Sequence, residues 1–254
     1  MKEYHNYIFD MYGTLVDISV DETRRKFWEQ MSLFYGYHGA LYEPEEMHQT
    51  YLRAVQNKEN LLKREYAVKY THESHPEILY DEIFQELYTD KGVIPDRSLI
   101  IHTAQMFRAC SVKHIRLYAH ARELLTALRQ AGKKVCLLSN AQRIFTEYEI
   151  NYLGISDLFD GIQISSDYGC KKPDVRFYNI LLERFGLKPE ESLMIGNNMA
   201  EDIAGANRVG IDSFYIHSAL SPRQKDGDNA GIHADYTMPN LNLRLLQKYL
   251  LDRS

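Results

Sequence analysis

The chain has 254 residues, 44% of them apolar, with 35 acidic against 30 basic residues and a formal net charge of -5. A chain of that size buries a sizeable core, and a mildly acidic one without a Lys/Arg block offers no nucleic-acid arm. Three widely spaced cysteines exclude a disulfide framework and read as reduced thiols, no apolar run is long enough to cross a bilayer, and the start MKEYHNYIFDMYG has no apolar h-region, so a soluble, cytoplasmic protein acting on a small molecule is expected.

Residues 4–10 are aromatic and β-branched and read as a strand ending on Asp10. The next stretch of that quality is KKVCLLSN, residues 133–140, and the pattern between is helical. VDETRRKFWEQMSLFYG offers Asp21 as an N-cap, Phe27, Met31 and Phe34 on one face, and Gly36 as a stop. YEPEEMHQTYLRAVQNKENLLKREYAVKY begins with Pro44 in its first turn and carries acids early and Lys/Arg later, as the helix dipole prefers. HPEILYDEIFQELYTDKG and PDRSLIIHTAQMFRA repeat the scheme. Residues 17–112 are therefore expected to form an all-helical lobe, in which Tyr35, Tyr37, Tyr42 and Tyr51 are packing residues.

Beyond it, helical and short apolar segments alternate: YAHARELLTALRQAG with KVCLLS, RIFTEYEINYLG with GIQISS, DVRFYNILLERFG with SLMIG, MAEDIAGANRVG with DSFYIH. That alternation predicts βαβ units, hence an α/β fold with a doubly wound parallel sheet. Ligands of such sheets bind at the carboxyl ends of strands, where Asp10, Ser139, Ser166 and Gly196 each close an apolar run.

Asp10, followed by the sharp turn that Gly13 and Thr14 permit, is a carboxylate on a rigid strand end, placed for in-line attack. Ser139 and Asn140 end another strand and can hold an anion's oxygens. Lys172, in GCKKPD, stands where Pro173 opens the next helix. Asn197, Glu201 and Asp202, in IGNNMAEDIAGA, offer oxygens to a hard cation. Each residue alone has an ordinary explanation as a cap, a turn or a solvated charge; together, at four strand ends of one sheet, they point to one site. His72 and His75 lack the acid motif of a zinc site, and no phosphate-binding G-x-x-x-x-G-K-[ST] loop exists.

Four segments in order, FDMYGTLVD, LLSN, KKPD and IGNNMAEDIAGA, resemble the four motifs of the haloacid dehalogenase (HAD) superfamily. The resemblance covers residues 1–16 and 113–254 as a Rossmann-like catalytic core and implies that 17–112 is an inserted helical cap of the C1 type. It implies Asp10 as a nucleophile forming a covalent aspartyl intermediate, Ser139 and Asn140 as anion binders, and Lys172 as charge neutraliser. In the phosphatase members it also implies a Mg²⁺ ion held by Asp10, the backbone carbonyl of residue 12 and the fourth-motif acid, here represented by Asn197 and Asp202.

Two positions depart from the phosphatase pattern. Tyr12 stands where a second aspartate serves as general acid/base, and Asn197 stands where an acid ligates the metal. A phenol with an ordinary pKa near ~10 is a poor proton carrier at neutral pH, and losing such help costs about 10²- to 10⁴-fold in rate. Asn197 supplies an oxygen without charge, so a weakened Mg²⁺ site is expected. A tyrosine at this place is also similar to the 2-haloacid dehalogenases, which attack carbon without metal and release a halide that needs no proton. Their arginine after the first motif has no clear counterpart, since Arg24 and Arg25 come too early. Three readings stand: a Mg²⁺-dependent phosphatase of small phosphorylated metabolites, a dehalogenase-like hydrolase, and a catalytically weakened HAD-fold binding or regulatory protein. Oligomeric state is not set by these patterns.

Overall fold

A computed structural model describes residues 1–223 and 231–252, so 224–230 and the last two residues of the expected core range lie outside the described residues. The chain runs β1 (Asn6–Phe9), β2 (Val16–Val20), α1 (Arg25–Tyr37), α2 (Pro44–Lys69), α3 (Tyr80–Thr89), α4 (Arg97–Ser111), β3 (Val112–Leu117), α5 (Ala121–Gln130), β4 (Lys134–Ser139) and α6 (Arg143–Tyr152). It continues through β5 (Gly161–Ile164), α7 (Val175–Phe185), β6 (Ser192–Gly196), α8 (Ala204–Arg208), β7 (Asp212–Ile216), β8 (Tyr236–Met238) and α9 (Leu243–Leu251).

Six strands form one parallel sheet in the order β5-β4-β1-β6-β7-β8. The fold is thus α/β with a Rossmann-like, doubly wound core. Apolar residues at both odd and even positions make these strands buried on both faces, as a parallel sheet covered by helices requires. Tyr7 and Phe9 pack with Val135, Leu137, Leu193, Ile195 and the apolar sides of α5 and α9. Ile8, Cys136, Leu138 and Met194 face the other way, against Phe177, Tyr178 and Leu181 of α7. β1 lies between β4 and β6, with Phe9 opposite Leu137 and Ile195, so Asp10, Ser139 and Gly196 emerge at the same edge.

Helices α1 to α4 pack around Phe27, Trp28, Met31, Tyr35, Phe84 and Phe107. Pro44 occupies the first turn of α2, where Glu43 and Glu46 form a reciprocal capping box. The other expected cap differs: Asp21 does not cap α1, which begins at Arg25, but accepts from Thr23 and pairs with Lys113 at 2.7 Å. Gly36 is no stop either, because α1 runs one residue further to Tyr37. The expected all-helical lobe over 17–112 is not helical at its ends: residues 17–20 belong to β2 and residue 112 opens β3, an antiparallel pair that joins the helical layer to the sheet and in which Asp17 meets Arg116 at 2.7 Å. It is not separate from the core elsewhere, since Ile144 and Phe145 of α6 belong to the same apolar cluster as Phe84 and Phe107.

Candidate active site

Asp10 follows β1 and its N–H donates to Ile195 O at 2.9 Å, which extends the sheet ladder to the residue itself. The turn after it brings Thr14 back, with Oγ1 3.4 Å from Asp10 Oδ2 and 3.3 Å from Asn197 Oδ1. Gly13 makes this possible. Its φ of 88° suits a residue without a side chain, and a Cβ there would stand 2.2 Å from Asn197 Nδ2. Gly196 is required for a parallel reason: a Cβ would lie 2.2 Å from Asp202 Oδ2.

Lys172 is fully buried between two acids, with Nζ 2.6 Å from Asp10 Oδ1 and 2.6 Å from Asp202 Oδ1. The second Asp202 oxygen accepts the Asn198 N–H at 2.9 Å. Both oxygens of Asp202, expected among the metal ligands, are thus engaged within the protein. Asn140 fixes the lysine's backbone from the other side, accepting Lys172 N–H at 2.8 Å and donating to Lys172 O at 3.1 Å. Pro173 precedes the helix instead of opening it: Asp174 is the N-cap of α7 and accepts from Arg176 N.

Electrostatics follow from this burial. Desolvation raises the Asp10 carboxyl above the usual carboxylate range against the pull of Lys172, and Asp202 and Glu201 push the same way as burial. Burial alone would lower Lys172, but Asp10 and Asp202 outweigh it and hold the ammonium charged. Glu201 is raised as well, chiefly by burial. Ser139 is fully buried and its hydroxyl has no hydrogen-bond partner among the described residues. A buried orphan hydroxyl is costly, so one at the end of β4 marks a place prepared for an acceptor.

Tyr12 turns its side chain away from this group. Its hydroxyl donates to Glu149 Oε2 and lies 3.1 Å from Thr146 Oγ1, both on α6. Arg108 of α4 holds the other Glu149 oxygen at 2.5 Å. Burial first, then the Glu149 charge, raise the phenol further above its ordinary pKa.

Among the described residues no cluster of three or more His, Cys, Asp or Glu side chains is arranged to hold a metal ion. The oxygens converging beside Thr14 are one carboxylate oxygen of Asp10 and the neutral Oδ1 of Asn197. These two oxygens fit a hard cation in kind but are short of charge, and the carbonyl of Tyr12 is the further oxygen that the sequence leads one to expect. His72 and His75 face Asp174 and Glu73 instead of each other.

Sequence reading singled out Asp10, Tyr12, Ser139, Asn140, Lys172, Asn197 and Asp202: Asp10, Ser139, Asn140 and Asn197 lie at or just after strand ends, Lys172 and Asp202 meet them from the turns beyond β5 and β6, and the Tyr12 hydroxyl is directed to α6. It missed Arg108 and Glu149, which sit on amphipathic helices where a charge looks solvated, and it read Thr14 as part of the turn after Asp10 and not as a hydroxyl between Asp10 and Asn197.

The chain is 30% identical over 149 residues to a glyceraldehyde 3-phosphate phosphatase of Methanothermobacter thermautotrophicus, covering 58% of this chain and 65% of that one. It is 28% identical over 146 residues to a phosphoserine phosphatase of Thermus thermophilus, covering 58% and 57%. The match thus spans less than two thirds of either relative's length. A solved dehalogenase with an intermediate complex superposes with a TM-score of 0.59 over the whole of both chains at 18% identity, a likeness of fold. The profile of the haloacid dehalogenase-like hydrolases matches residues 4–210, from the first strand through the loop that carries Asn197 and Asp202, and the chain belongs to that family.

Proposed function

We propose that the protein is a phosphatase of small phosphorylated metabolites with Asp10 as nucleophile. The observation that carries this reading is the buried, unpartnered hydroxyl of Ser139 at the same sheet edge as the Asp10–Lys172 pair. It is an anion-oxygen donor next to a carboxylate and a buried cation.

Asp10 attacks phosphorus through a carboxylate oxygen; a P–O bond forms to Asp10 as the bond to the leaving oxygen breaks, and the departing alkoxide takes its proton from solvent water. Water then cleaves the aspartyl-phosphate and returns Asp10 as a carboxylate. Lys172 counters the charge of the transferring group, Ser139 Oγ donates to one of its oxygens, and Asn140 keeps Lys172 in register. Asp202 orients Lys172 through Oδ1. Asp10, Asn197 and the Tyr12 carbonyl would hold Mg²⁺, which when bound supplies positive charge next to the phosphoryl oxygens. Residues 17–112 serve as the cap over this edge, joined to the core by β2 and β3.

A second reading is favoured by one observation: the Tyr12 hydroxyl is committed to Glu149, which leaves no proton donor at position 12. A halide leaves without a proton, so attack of Asp10 on the carbon of a 2-haloacid suits this feature. Turnover of a phosphate-ester panel with and without Mg²⁺, beside a 2-chloroacid panel with halide detection, separates the two. Hydrolysis of esters but not chloroacids supports the phosphatase, the reverse pattern the dehalogenase-like enzyme, and turnover in neither supports a binding or regulatory role.

A further inference from the structure

One buried acid outside the crevice ties together the two loops that form it. Glu77 lies between α2 and α3, is 8% exposed, and belongs to a segment that runs beside the chain leading into Lys172. Glu77 N donates to Gly169 O at 3.1 Å, Lys171 N donates to His75 O at 2.9 Å, and Pro76 stands opposite Cys170 in an antiparallel bridge. The carboxylate reaches the other loop. Ser165 Oγ donates to Glu77 Oε2 at 2.7 Å, Gln142 Nε2 donates to Oε1 at 3.2 Å, and Lys171 Nζ lies 3.8 Å away.

Gln142 has a single orientation, since its Nε2 also donates to Ile78 O at 2.9 Å and its Oε1 accepts from Tyr80 N at 3.1 Å. Two donors therefore point at Glu77. A hydroxyl has one proton, and a charged acceptor binds it more strongly than a carbonyl does. When Ser165 gives that proton to Glu77, its lone pairs face Ala141, whose N–H donates to Ser165 Oγ at 2.8 Å. Ala141 is two residues after Ser139 and adjacent to Asn140, which holds Lys172 by two hydrogen bonds.

We propose that Glu77 is a positioning residue of the anion pocket: it orders the Ser139–Asn140–Ala141 turn through Ser165 and Gln142, and the Gly169–Lys172 turn through its own backbone N–H. The inference rests on the reading of Ser139 and Lys172 as anion binders.

The test is calorimetric titration of inorganic phosphate into the full chain carrying E77Q, E77A or S139A, with the thermal midpoint of each variant recorded. E77Q keeps an acceptor for Gln142 but turns the Ser165 proton back towards Ala141 O, 3.0 Å away, and is expected to weaken phosphate binding about threefold. E77A removes both acceptors and is expected to weaken it about tenfold or more. Where E77A does not fold, E77Q carries the test. A merely structural Glu77 would lower the midpoint and leave the affinity of the folded chain unchanged, and that result overturns the proposal. An S139A variant with wild-type affinity, or a wild-type chain that does not bind phosphate, sinks the underlying reading and the proposal with it. Weakened S139A beside unaltered E77Q and E77A sinks the proposal alone.

Discussion

The hydroxyl of Tyr12 donates to Glu149, a carboxylate 137 residues away on α6. Glu149 is also the partner of Arg108, so the phenol closes a buried chain running from the helical layer through α6 to the turn after Asp10. Tyr12 thereby supports the turn while offering the crevice no proton.

Tyr12→Phe removes the donor and leaves Glu149 its bonds to Arg108. Unfolding in urea should show a loss of about 1–3 kcal/mol, the cost of a lost hydrogen bond to a buried acceptor. Turnover per folded molecule should change less than about tenfold, since loss of a working proton carrier costs about 10²- to 10⁴-fold. A larger fall would return the hydroxyl to the chemistry.

Tyr12→Asp combined with Asn197→Asp supplies a proton carrier and a second charge for Mg²⁺. Ester turnover in the presence of Mg²⁺ should rise by about one to two powers of ten, within the general acid/base range. The new side chain leaves the ring's volume empty and Glu149 without its phenol donor, so the variant should also lose about 2–5 kcal/mol of stability. Rates are read on the folded fraction. If the double variant gains nothing on any ester that the wild type hydrolyses, the phosphatase account of position 12 fails.

Asp10→Asn should abolish turnover while the far-ultraviolet circular dichroism stays that of the wild type, because the amide is isosteric but a poor nucleophile. It should also change the pH dependence of stability. A carboxyl whose pKa is raised by folding contributes stability below its unfolded pKa and loses it as pH rises through the folded value. Between the ordinary carboxylate pKa and the folded value of about 7 the wild type should therefore lose stability relative to Asp10→Asn as pH rises. Parallel curves in thermal melts would show that the Asp10 carboxyl is not raised.

Lys172→Ala leaves Asp10 and Asp202 facing the same vacated space. Phosphate affinity should fall about ten- to a hundredfold, the range for charge-assisted hydrogen bonds. The variant should also be more stable in acid than in base, because the buried Asp10 carboxyl loses the cation that opposes its raised pKa and the stability it lends is lost as pH rises through that value. Equal phosphate affinity by calorimetry would remove Lys172 from anion binding.

Much of this site was legible in the chain. Asp10, Ser139 and Gly196 each terminate an apolar run, and in a parallel sheet that local feature is enough to place them at one edge. Lys172 and Asp202 carried the spacing of the third and fourth motifs. The β2–β3 pair was not legible. Val16–Val20 and Val112–Leu117 are short and half exposed, and their pairing depends on a partner on the far side of the helical layer. Nor were β8 and α9, which close the sheet after a polar stretch.

The sequence by itself determined the fold class and the identity of the groups at the strand ends, because hydrophobic periodicity and strand termination are set by neighbouring residues. Only the tertiary structure decided which way those groups face and what each one touches. Tyr12 is turned from Asp10 by Glu149 and Arg108, Asp202 is directed to Lys172 by Asn198, and Glu77, a charge in a loop that looks solvated, is buried where two loops meet. Lys172 and Asp202 are 30 positions apart and Tyr12 and Glu149 are 137, and partners so separated leave no periodic trace in either segment; the direction of a buried polar side chain follows from which donor or acceptor would otherwise remain unpaired.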